Sequence, residues 1–199
     1  MDQPDTAARR PLLTVLGWRN GESEHWQHVW ACADPAVRRV SLPLCHAPLL
    51  ADWVWALARA TDRCDTAPIL VAHDTGCLAV VHYAQWCAGA GGGWPDHRVR
   101  PARVAGALLV APVDVEREDA PPAVRAFAPV PLSCLPFPSV VIASRNDPHL
   151  AMERAATFAA AWGSTLIDAG AAGHLHRRAD LGAVARGSSL LTRLALSRC

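Results

Sequence analysis

Six short apolar runs recur along the chain with stretches of helical length between them, and that rhythm leaves few folds open. The runs are LLTVL at 12–16, VRRVSL at 37–42, PILVA at 68–72, VAGALLVAP at 104–112, PSVVIAS at 138–144 and STLIDAG at 164–170. Continuous apolar runs of this length suit strands buried on both faces and are too short for helices. Between them, Glu24–Ala31, Pro48–Ala60, Gly76–Ala88, Leu150–Trp162 and Gly182–Leu196 are expected helices, each long enough for a crossover. Alternating strand and helix predicts a three-layer α/β fold, a mostly parallel sheet of about six strands with helices on both faces. Two segments break the rhythm, the glycine-rich Gly89–Pro101 and the proline-rich Pro121–Pro138, and both are expected as loops at or beside the carboxyl edge of the sheet. No internal repeat or linker interrupts the pattern, so residues 1–199 are expected to form a single domain.

Composition narrows the function. With 19 Lys and Arg against 18 Asp and Glu, no basic stripe recommends a nucleic acid and no acidic tail recommends disorder. The expected partner is a small molecule, with no nucleic acid and no membrane; oligomeric state is left open. The cysteines at 32, 45, 64, 77, 87, 134 and 199 form no CxxC pair and no zinc-ligand spacing, which suits free thiols in a reducing compartment. The N-terminal MDQPDTAARRPLLTVLG lacks a cleavage-site pattern and an apolar stretch long enough to span a bilayer, so a cytoplasmic location is expected.

In an open parallel sheet, ligands bind outside the carboxyl ends of the strands. Four such places carry chemistry. After the first run come Gly17-Trp18-Arg19-Asn20-Gly21, after the third Asp74, after the fifth Ser144-Arg145-Asn146-Asp147-Pro148, and after the sixth Gly170-Ala171-Ala172-Gly173-His174. Ala72-His73-Asp74-Thr75-Gly76 has the small-x-nucleophile-x-small pattern of a nucleophile elbow, between the strand Pro68–Val71 and the helical stretch Cys77–Ala88. Its central residue is an aspartate. On its own, His-Asp-Thr-Gly also reads as an ordinary loop with a capping Asp; the strand-turn-helix context is what favours the elbow. The chain order of nucleophile, acid and histidine is that of the α/β-hydrolases.

These residues carry a wider resemblance. GWRNGESEHWQHVW from Gly17, RRVSLP from Arg38, ILVAHDTGCLAVVHYA from Ile69, GALLVAPVDVE from Gly106 and the long stretch from Phe127 to Leu175, with its LPFPS and ASRNDP blocks, resemble the small serine hydrolases of the retinoblastoma-binding-protein-nine and YdeN-like family. The resemblance spans essentially the whole chain. It implies an α/β-hydrolase without a separate lid and without a cofactor, with a serine, aspartate and histidine triad whose acid falls on Asp147 and base on His174. The family's elbow is similar to AHSLG, so Asp74 stands where its serine is expected and Thr75 where it has a leucine. Gly21 falls where the family's first loop tends to carry a serine, and LHRRADLG after His174 departs from its usual small polar sequence.

An aspartate changes the reaction. A carboxylate with an ordinary pKa of about 3.9 is ionised near neutrality and attacks without a base, and a helix N-terminus favours an anion. Attack on an ester carbonyl would form a mixed anhydride, which reverses more easily than it proceeds. Attack on a saturated carbon leaves an alkyl ester that a histidine-activated water can cleave. That is the logic of haloalkane dehalogenases and epoxide hydrolases, whose elbows resemble His-Asp-x-Gly. The expected roles are Asp74 as nucleophile, His174 as base and Asp147 as its orienter. Gly17, Trp18, Thr75 and His73 form the expected oxyanion or substrate-binding surroundings, with the Thr75 and Trp18 backbone N–H groups as the oxyanion donors. The alternative is a binding module that has lost catalysis, in which two carboxylates hold His174 charged. His174-x-His176 has no convincing third ligand, and no metal is expected.

Overall fold

The computed structural model of the protein describes residues 10–18, 25–43, 48–89, 103–176 and Ser189. Apart from Ser189, the helix expected over Gly182–Leu196 lies outside them, as do most of the glycine-rich segment and Gly21. The six expected strands all form: β1 (Leu12–Val15), β2 (Val37–Arg39), β3 (Ile69–His73), β4 (Gly106–Val110), β5 (Ser139–Ala143) and β6 (Thr165–Asp168). They make one sheet in the order β2-β1-β3-β4-β5-β6, parallel at every pairing. Among the described residues, four α-helices lie between them, α1 (Trp26–Ala33), α2 (Leu50–Asp62), α3 (Thr75–Cys87) and α4 (Met152–Trp162).

The pleat explains why the strands read as unbroken apolar runs. In β3, Leu70 and Ala72 join the core beneath α2, α3 and α4, whereas Ile69 and Val71 join the opposite core with Trp26 of α1 and Leu175. With both faces covered, no position along the strand can be polar cheaply. Helix α3 lies deepest: ten of its residues are buried, on all sides, as an internal helix requires. The proline-rich segment is a loop as expected, apart from a 3₁₀ turn over Pro122–Phe127.

This order places the site. Going out from β1, the chain moves one way to β2 and the other way to β3, and the crevice between such neighbours at their carboxyl ends is where open α/β sheets bind ligands. Trp18 follows β1 and Asp74 follows β3 at that crevice. Cys32, Cys64, Cys77, Cys87 and Cys134 are free thiols. Among the described residues, no helix is long and apolar enough to cross a membrane.

Candidate active site

Asp74 sits between β3 and α3 at φ 56°, ψ −133°, a backbone conformation that non-glycine residues avoid. The neighbouring positions hold it there. Its N–H donates to Val110 O at 3.2 Å, and its carbonyl accepts from Cys77 N at 3.0 Å as the helix begins. Gly76 lets the turn press against the end of β1, since a Cβ there would lie 2.5 Å from Val15 O and 2.9 Å from Leu16 O. Gly76→Ala is therefore expected to cost about 1–3 kcal/mol through forced separation of the elbow from β1. A thermal melt checks this, and an unchanged midpoint would show that the end of β1 yields freely.

The carboxylate of Asp74 points two ways. Oδ1 accepts a hydrogen bond from Thr75 N, and Oδ2 lies 3.6 Å from His174 Nε2, an ion-pair distance longer than a hydrogen bond. On its other side His174 Nδ1 meets Asp147 at 2.9 Å to Oδ2 and 3.1 Å to Oδ1. Asp147 is almost fully buried and also accepts from His149 N at 2.8 Å. Burial works against a charge on His174, but the hydrogen bond to Asp147 and the proximity of Asp74 outweigh it and raise its pKa from 6.5 to about 9. At neutral pH the resting site is thus an imidazolium between two carboxylates.

The loop carrying His174 is pinned from several directions. Ala172 N donates to Ser144 Oγ at 2.9 Å and Gly173 N to Asn146 Oδ1 at 2.7 Å. From the other face of the sheet, Trp26 Nε1 donates to Leu175 O at 2.8 Å. His73 and His25 complete the support. Gln27 N–H donates to His25 Nδ1, and burial lowers the His25 pKa to about 4, so the neutral ring keeps its proton on Nε2. Nε2 of His25 then donates to His73 Nδ1 at 3.3 Å, and His73 Nε2 donates to His174 O at 2.9 Å. Burial also holds the His73 pKa well below the usual histidine value, which agrees with a neutral relay.

The candidate residues thus separate into two groups. Asp74, Asp147 and His174 come together, and Trp18, Asp74 and His174 line a cavity of about 320 Å³, at the small end of the range for ligand pockets. Gly17, His73 and Thr75 are buried and do not line it. His73 was expected beside the substrate; its ring instead supports the His174 loop from beneath. Of the two amides expected as oxyanion donors, Trp18 N–H donates to Thr75 Oγ1 at 2.7 Å. Sequence reasoning also missed part of the wall: His25, His149, His176, Arg117 and the apolar arc of Val113, Val115, Ala120, Pro121 and Val124. Arg117 Nη2 donates to His149 Nδ1 at 3.2 Å, fixing that ring's tautomer with the proton on Nε2.

Ligand atoms of His73, Asp74 and His174 lie within 4.8 Å of one another. Both ring nitrogens of His73 are hydrogen-bonded, so coordination through it would break the relay to His25 or the bond to the His174 carbonyl.

Residues 12–193 match the family described as serine hydrolase. A solved protein from Pectobacterium atrosepticum described as a YdeN-like hydrolase is 30% identical, with 91% of each chain covered and a TM-score of 0.70. The ydeN gene product of B. subtilis shares the fold at 18% identity, covering 95% of this chain and 100% of its own, with a TM-score of 0.64. Est1E from Butyrivibrio proteoclasticus, solved with ferulic acid bound, shares it at 15% identity, with 98% and 94% covered and a TM-score of 0.65. No curated protein sequence matches the chain.

Proposed function

Because the chain belongs to the serine hydrolase family, we propose that it is a hydrolase in which Asp74 stands in the place of the family's serine and attacks a saturated electrophilic carbon of a small organic substrate. One observation carries this reading: the carboxylate has one oxygen at the Thr75 amide and the other 3.6 Å from His174 Nε2, and both Asp74 and His174 line the cavity. A nucleophilic carboxylate needs that division of labour. Oδ2 forms the new C–O bond while the leaving group departs from the carbon with its electron pair. Oδ1 becomes the carbonyl oxygen of the resulting alkyl ester, already placed against the backbone N–H that would hold it as an oxyanion.

The charge pattern links the two half-reactions. Alkylation converts Asp74 from an anion to a neutral ester, which removes one of the two carboxylates that keep His174 protonated. The imidazolium then releases its Nε2 proton more readily. Neutral His174, held by Asp147, takes a proton from water as the oxygen of that water attacks Cγ of Asp74. Collapse of the tetrahedral species breaks the bond between Cγ and the alkyl oxygen, the departing alkoxide takes the proton, and Asp74 is regenerated. Ester substrates fit this site poorly, since carboxylate attack on a carbonyl gives an anhydride.

Single turnover in oxygen-18 water, with short haloalkanes and terminal epoxides as substrates, is expected to place the label in the Asp74 carboxylate. Label confined to the product would rule out the covalent scheme. A second reading, a non-catalytic binding module with a fixed Asp74–His174–Asp147 ion network, is favoured by the raised pKa of His174. Turnover anywhere on that panel that disappears in His174→Ala removes it; a panel with no turnover supports it.

A further inference from the structure

We infer that Thr75 is a specificity-determining residue whose hydroxyl, together with the Asp74 carboxylate, occupies both backbone donors of the oxyanion hole and so turns the site away from carbonyl substrates. In an α/β elbow those donors are the N–H of the residue after the nucleophile and one from a loop following a neighbouring strand. Here they are Thr75 N and Trp18 N. Thr75 N–H donates to Asp74 Oδ1, and Trp18 N–H donates to Thr75 Oγ1 at 2.7 Å.

A backbone amide has one proton to give, so a substrate oxygen could enter this hole only by displacing a bond already made. The displaced Thr75 hydroxyl would have nowhere to go. Its residue is fully buried, and Gly76 is already packed against the carbonyls of Val15 and Leu16, leaving the turn no room to draw back from the strand that leads to Trp18. The same burial keeps the Thr75 hydroxyl from acting as a substitute donor toward the cavity, which it does not line. For a substrate carbonyl the hole is filled by the protein's own oxygens. For a carboxylate nucleophile the Thr75 amide is where the ester oxygen needs it, and the Trp18 amide is not required in the first step.

This inference depends on the elbow geometry and not on Asp74 being a working nucleophile, so its test is made with Asp74 replaced. Asp74→Ser frees the Thr75 amide; adding Thr75→Ala frees the Trp18 amide; adding Thr75→Ser instead keeps the hydroxyl. A fluorophosphonate probe and p-nitrophenyl acetate report the hole. Asp74→Ser/Thr75→Ala is expected to react about 10²-fold faster than either Asp74→Ser or Asp74→Ser/Thr75→Ser, the effect of one oxyanion donor. Equal rates in all three, zero included, overturn the inference. Amide exchange keeps it open to disproof if the double variant does not fold. In the unaltered protein the Trp18 amide is expected to be protected, and in Thr75→Ala with Asp74 in place its protection should fall by roughly tenfold or more, as loss of one hydrogen bond implies. Fast exchange at Trp18 in the unaltered protein also overturns it.

Discussion

Replacing His174 with alanine is expected to give a protein that reacts once with a haloalkane or an epoxide and then stops, carrying the organic group on Asp74. Only one of the two chemical steps needs a base. A carboxylate attacks without losing a proton, so bond formation at Oδ2 survives the loss of the imidazole. Cleavage of the alkyl ester does not survive it, because water must be deprotonated as it attacks, and His174 Nε2 lies 3.6 Å from Oδ2 to take that proton. Turnover should fall by about 10²–10⁴-fold, the usual contribution of a positioned general base. Intact-mass measurement should show one added alkyl group, and peptide mapping should place it on the segment containing Asp74. Asp147→Asn should leave a smaller defect, since the imidazole remains and keeps one oxygen acceptor but loses the charge of the carboxylate that meets it at 2.9 and 3.1 Å. A His174→Ala protein that neither accumulates the adduct nor turns over would remove Asp74 as the nucleophile.

Much of this arrangement was legible in the chain because it depends on local pattern. Strands buried on both faces are apolar except where a partner satisfies a polar group, so five-residue strands such as Ile69–His73 and Ser139–Ala143, polar only at the terminal His73 and Ser139, stand out from the helical stretches. Where a strand lies at the sheet edge the signal weakens. The VRRVSL run yields only Val37–Arg39, with Arg38 and Arg39 exposed. The VAGALLVAP run is cut to Gly106–Val110 because Ala111 turns the chain at φ 44°. Asp74, Asp147 and His174 were legible because each follows a strand. Their support was not. His25 meets His73 across 48 residues, Trp26 meets the Leu175 carbonyl across 149, and Trp18 meets Thr75 across 57. No periodicity encodes such contacts; they exist because the sheet brings the loops after β1, β3 and β6 to one edge. His149 and Arg117 escaped for the same reason, coming from loops after two different strands.

The histidines also predict how stability depends on pH, with opposite signs on the two sides of neutrality. His174 has a folded pKa of about 9 against 6.5 when unfolded, so its stabilising contribution is complete below pH 6.5 and is lost as pH rises through 9. For so buried a group the difference is of the order of 3 kcal/mol. His25, His73, His82 and His149 behave in the reverse sense. Their folded pKa values are depressed, His25 to about 4, so their contribution is complete above pH 6.5 and is lost as the unfolded chain takes up protons below it. The melting temperature is expected to peak at about pH 7, where these opposing proton uptakes cancel, and to fall on both sides. Cys77, Cys87 and Tyr83 have their pKa values raised by burial, and ionisation of the thiols in the unfolded chain erodes stability increasingly above about pH 8, which leaves the window of about pH 7–8 chiefly to His174. Over that window His174→Gln should remove most of the fall in stability, because the imidazolium is gone, and Asp74→Asn should reduce it, because one of its two carboxylates is gone. A slope that persists unchanged in His174→Gln would mean that the imidazolium is not held between the two carboxylates, and the coupling of alkylation to proton release would fall with it.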